Sequence, residues 1–157
     1  QLSYNLNMNT IRITKHFDFE SAHALYGYDG KCKNIHGHSY HIYVTVIGTP
    51  IEDDKHPKNG MVMDFGDLKV IVKREIVSKF DHAVVLNANS PHKELANTIN
   101  DYSHKVVLVP YQPTSENMLI DFAERIQSQL PQNVLLHSLK LYETANSYAE
   151  WFASDQK

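Results

Sequence analysis

Residues 31–48 read KCKNIHGHSYHIYVTVIG, and they decide the fold. From 36 to 47 the residues alternate. His36, His38, Tyr40, Ile42, Val44 and Val46 point one way, and Ser39, His41, Tyr43 and Thr45 point the other. That period of two predicts a half-buried strand. Upstream, IRITKHFDFESAH (11–23) alternates more loosely, with Ile11, Ile13, Lys15, Phe17, Phe19, Ser21 and His23 on one face. The linking segment 24–35 holds Gly27, Tyr28, Asp29 and Gly30, a turn-rich connection. Two long strands joined by one loop make an antiparallel pair the simplest topology.

Downstream, MVMDFGDLKVIVKREIVSKF (61–80) carries Phe65, Leu68, Val72, Ile76 and Phe80 at helical spacing. Asp64 is its N-cap, Asp67 sits in the first turn, and the helix ends near Phe80. Residues 87–113 are polar, with a short helix after Ser90-Pro91 and a short strand at Val106–Val109. PTSENMLIDFAERIQSQLP (113–131) is a second clear helix. Thr114 caps it, Leu119, Phe122, Ala123, Ile126 and Leu130 make its stripe, and Pro131 stops it. Residues 134–143 and 148–152 read as a terminal strand pair. The expected fold is α+β: a four-stranded antiparallel sheet with two helices on one face. Its open edges are suited to pairing with neighbouring subunits.

The chain has 157 residues, enough for one domain with a core of its own. Residues 9–157 are read as that domain, and 1–8 as a disordered or non-native extension with Met8 a candidate start. A net charge of −3 gives no sign of a nucleic-acid patch or a membrane-binding face. No apolar run reaches the length of a membrane span. One cysteine makes no internal disulfide and suits a reducing, cytoplasmic setting.

Ten histidines is many for this length. His36 and His38 leave the same strand face, and pairing of the two strands brings His23 beside them. Three imidazoles with an open fourth position suit a catalytic metal such as zinc; a solvated histidine-rich strand face is the bland alternative. Cys32 is open to three readings: a fourth ligand closing a structural site, a base or nucleophile beside the metal, or an ordinary buried cysteine. Asp81-His82 follows the first helix, where an Asp orienting a His builds a general acid or base, or merely a cap. Glu143 continues the apolar face of Leu139 and Leu141. It is either wet at a strand end or an acceptor for a ligand with two adjacent N–H groups.

FESAHAL, CKNIHGHSY, MVMDFGDLK, DHAVVLN, PTSENM and LYET occur in that order over residues 11–152. Together they resemble the 6-pyruvoyl-tetrahydropterin synthase / 6-carboxy-tetrahydropterin synthase family. The resemblance implies the tunnelling fold, with sheets joining between subunits into a barrel. It implies a homo-oligomer, a hexamer built as a dimer of trimers, with active sites between subunits. It implies His23, His36 and His38 as Zn2+ ligands and Cys32 as a catalytic thiol that is not a ligand. It further implies Asp81 and His82 as the other catalytic pair and Glu143 as the pterin anchor, with Thr114, Ser115 and Glu116 nearby. The three residues between Cys32 and His36 resemble the queuosine-pathway type. That implies a cytoplasmic lyase converting 7,8-dihydroneopterin triphosphate to 6-carboxytetrahydropterin, acetaldehyde and triphosphate. Rival readings are 6-pyruvoyl-tetrahydropterin synthase activity, a non-catalytic zinc-stabilised assembly module, and a zinc hydrolase. Segment 87–113 is longer than in compact members. Lys15, Lys31 and Lys33 are triphosphate candidates by charge alone.

Overall fold

The computed structural model describes residues 9–157, so the reading of residues 1–8 lies outside the described residues. Strands β1 (Ile11–His23) and β2 (His36–Gly48) form the spine, antiparallel in unbroken register from Ile11↔Gly48 to His23↔His36. The alternation becomes burial. Phe17, Phe19, Ser21 and His23 are buried on β1, and Tyr40, Ile42, Val44 and Val46 on β2, while the intervening β1 residues from Arg12 to Glu20 are exposed.

Helix α1 starts at Phe65–Val72, passes through a π turn at Lys73–Val77 and closes with an α turn at Ser78–Phe80. The Asp64 carboxylate accepts the Gly66 N–H at 2.7 Å, which makes it the cap. Leu68, Val72, Ile76 and Phe80, each four residues apart, are all fully buried. In an ideal α-helix each four-residue step rotates a side chain by about 40° away from its predecessor. The wider π turn absorbs that drift and keeps all four on the core. Phe65, expected in this stripe, is 51% exposed instead, because the buried face begins at Leu68.

Strand β3 (Ala83–Asn87), helix α2 (His92–Asp101) and strand β4 (Val106–Val109) follow. Helix α3 (Ser115–Gln127) is capped by Thr114, whose hydroxyl accepts the Asn117 N–H. It ends at Gln127, short of the expected Pro131; Leu130 lies beyond the helix and still packs on the core. Strands β5 (Leu135–Thr144) and β6 (Ser147–Phe152) close the chain.

Among the described residues the sheet has six strands, in the order β4-β3-β1-β2-β5-β6. This corrects the expected four-stranded antiparallel sheet: β1, β2, β5 and β6 are antiparallel neighbours, but β3 and β4 extend the sheet in parallel beside β1. Parallel strands need a crossover, and α1 and α2 supply cover for it. α1 and α3 pack on one face of the antiparallel part, where Phe122 meets Phe80 and Phe19 edge-on. α2 covers a second, smaller core of Ala24, Leu86 and Ala96. No helix among the described residues is long and apolar enough to cross a membrane.

Candidate active site

The register of β1 and β2 sets His23 directly opposite His36, and the period of two brings His38 onto the same face. Each of the three offers a ring nitrogen, and these atoms lie within 4.8 Å of one another. His23 Nε2 stands 3.1 Å from His36 Nε2. The other ring nitrogens are held from behind. His23 Nδ1 donates to the Pro113 carbonyl at 2.7 Å, and His36 Nδ1 to the Asn34 carbonyl at 2.7 Å. A carbonyl oxygen only accepts, so each Nδ1 carries the proton and each Nε2 turns a lone pair inward. This is the carbonyl–histidine arrangement that orients metal ligands.

His38 Nε2 is buried and makes no hydrogen bond among the described residues, although Glu143 Oε1 lies 3.2 Å away. The same oxygen is 3.4 Å from His23 Nε2. Burial is the main force lowering the pKa of both His23 and His38, so both favour the neutral, ligating form. Lone pairs and a carboxylate facing one another repel unless a cation joins them. The residues therefore fit a bound metal ion, and zinc takes this donor set.

Cys32 sits on a single 3-10 turn, Lys31–Lys33, in the loop between β1 and β2. Its carbonyl accepts the Leu25 N–H at 3.0 Å, which closes the loop on itself. The thiol is free and half-buried. It does not join the three nitrogens within their 4.8 Å cluster. Lys31 and Lys33 on either side are exposed. Two residues on, Asn34 supplies the carbonyl that orients His36, so one short loop serves both thiol and ligand.

Asp81 and His82 meet as the sequence suggests, with Asp81 Oδ1 3.0 Å from His82 Nδ1. Asp81 also accepts the Glu20 N–H at 2.9 Å, the largest cause of its lowered pKa. His82 takes a left-handed backbone, φ 59°, at the junction of α1 and β3, a conformation in which His is enriched among non-glycine residues. Its side chain is 77% exposed and reaches out of the chain. No contact joins it to Cys32 or the histidine cluster among the described residues. His82 lines an open cleft of about 370 Å³ together with Glu20, Ala22, Gly37, His38 and Ser39.

The N-terminus of α3 reaches the cluster through Pro113. Of the three candidates there, Thr114 spends its hydroxyl on the cap, Ser115 is buried with an Oγ that has no partner among the described residues, and Glu116 is exposed. Sequence reasoning missed the Pro113 and Asn34 carbonyls. It also missed Tyr40, which is 1% exposed with a hydroxyl that has no partner among the described residues. Tyr40 shares the alternating face of His36 and His38, which was the available signal. Burial, then the charges of Glu143 and Cys32, push its phenol pKa well above the usual value.

The family model for 6-pyruvoyl tetrahydropterin synthase matches residues 12–154. Two curated proteins named 6-carboxy-5,6,7,8-tetrahydropterin synthase are similar over nearly their whole length. The one from Rickettsia typhi is 36% identical over 143 residues, covering 89% of this chain and 99% of its own. The one from Haemophilus influenzae is 34% identical over 141 residues, covering 89% and 97%. Among solved structures, an uncharacterized protein from Wolinella succinogenes superposes with a TM-score of 0.75 at 22% identity, covering 92% of this chain and 99% of its own. The Caenorhabditis elegans 6-pyruvoyl tetrahydropterin synthase superposes at 0.65 and 23% identity, covering 94% and 98%. These two likenesses establish the fold.

Proposed function

Since the chain belongs to the 6-pyruvoyl tetrahydropterin synthase family, we propose that it is a zinc-dependent 6-carboxy-5,6,7,8-tetrahydropterin synthase. This lyase converts 7,8-dihydroneopterin triphosphate and water to 6-carboxytetrahydropterin, acetaldehyde and triphosphate, serving queuosine biosynthesis in the cytoplasm. One observation carries the reading: three inward-facing Nε2 atoms with the single thiol close in sequence but outside the cluster. The curated relatives, both 6-carboxy-5,6,7,8-tetrahydropterin synthases, support the carboxy over the pyruvoyl product.

His23, His36 and His38 hold the ion. When bound, zinc supplies a Lewis acid that stabilises negative charge on a substrate oxygen. Cys32, as thiolate, takes a carbon-bound proton made acidic by the conjugated ring. His82, oriented by Asp81, carries a second proton. Glu143 accepts the pterin 2-amino group and ring N–H, a pair that fixes orientation before bonds break. Thr114, Ser115 and Glu116 line the pterin, and the unpartnered Ser115 hydroxyl is free to bond it. His82 reaching outward fits a site completed between subunits of a hexamer.

Incubation with 7,8-dihydroneopterin triphosphate, with and without chelator, tests the reading. Acetaldehyde and 6-carboxytetrahydropterin are expected without chelator only. A 6-pyruvoyl product, or no turnover, overturns it. Glu143→Ala should weaken pterin binding by about 2 kcal/mol, roughly thirtyfold, as charge-assisted bonds are lost. Unchanged affinity in a titration removes the anchoring role.

A further inference from the structure

Tyr40 follows His38 by two residues on β2 and faces the same side. Its ring stacks on Phe19 with centroids 5.1 Å apart. It meets His38 edge-on at 5.5 Å and His23 at 6.4 Å. Phenylalanine would fill this space equally well. The hydroxyl is instead shut from solvent with no hydrogen-bond partner among the described residues, a standing cost to the folded chain. Such a group calls for a partner that arrives later.

The surroundings say what kind. The groups around the two histidine rings that Tyr40 meets are acceptors: the inward lone pairs of His23 and His36 and the Glu143 carboxylate. A ligand with acceptor atoms of its own, such as hydroxyl or carbonyl oxygens or ring nitrogens, needs a donor there. The phenol O–H is one, and Ser115 is the matching unpartnered hydroxyl at the start of α3.

We propose that Tyr40 is a further substrate-contacting residue, its hydroxyl donating a hydrogen bond to an acceptor atom of the pterin substrate bound beside His23 and His38. This rests on the pterin reading above. The bond strengthens as negative charge develops on that acceptor, so it serves the chemical step as well as binding.

Tyr40→Phe tests it, since the ring and its packing remain. Zinc content should stay near that of the wild type. The thermal midpoint should be unchanged or higher, because an unpaired buried hydroxyl has been removed. Affinity for pterin-6-carboxylic acid should fall, and kcat/KM for 7,8-dihydroneopterin triphosphate should fall about tenfold or more, with kcat sharing the loss. A Tyr40→Phe protein as active as an active wild type overturns the assignment alone. So does a lowered midpoint with intact kinetics, which would show the hydroxyl serving the core. If wild-type protein neither binds nor converts the pterin, the substrate reading falls and takes this role with it.

Discussion

Replacing Cys32 with alanine is expected to lower turnover by about a thousandfold or more while zinc stays near one ion per chain. Removing a positioned acid or base commonly costs about 10²–10⁴ in rate, and no other thiol exists in the chain to substitute. The zinc content follows from geometry. Cys32 stands outside the nitrogen cluster, and the orienting bonds of His23 and His36 come from carbonyl oxygens that the substitution leaves in place. Metal analysis beside a turnover assay checks both halves. Zinc lost together with the thiol would restore the closed structural site.

His23→Ala should have the opposite profile, losing metal and stability together. His23 is 1% exposed, and its Nδ1 ties β1 to the Pro113 carbonyl ahead of α3. The substitution removes one of three ligands, opens a cavity and leaves that carbonyl unpaired. About 2–4 kcal/mol of stability should go even in metal-free protein. Denaturant midpoints and zinc stoichiometry measure the two effects. His16→Ala is the control: its ring stacks on His41 and Tyr43 on the exposed sheet face, so zinc binding should not change. A His23→Ala protein with full zinc would remove His23 from the ligand set.

How much of this was legible in the chain follows from the range of each interaction. The β1–β2 pair was readable because a period of two marks a buried face, and Phe17, Phe19, Ile42 and Val44 obey it. The caps Asp64 and Thr114 were readable because capping is local. Strand β3 was not. AVVLN is short and apolar without alternation, as strands of parallel pairs tend to be, and periodicity does not separate such a run from a helix end. Without it the short strand read at Val106–Val109 had no neighbour to pair with, and the sheet was counted as four strands. The Pro113 carbonyl was beyond reach for another reason. It lies 90 residues from His23, and backbone carbonyls carry no residue-type signal. Tyr40 stood in plain view on the histidine face, but an apolar stripe absorbs a tyrosine unnoticed until its hydroxyl is seen to lack a partner.

X-ray absorption at the zinc edge of the resting protein tests the central claim most directly. Imidazole nitrogens from His23, His36 and His38 at about 2.0–2.1 Å, and no sulfur neighbour, are the expected result. A sulfur shell at about 2.3 Å would contradict it, because Cys32 would then be holding the metal and could not serve as the free base.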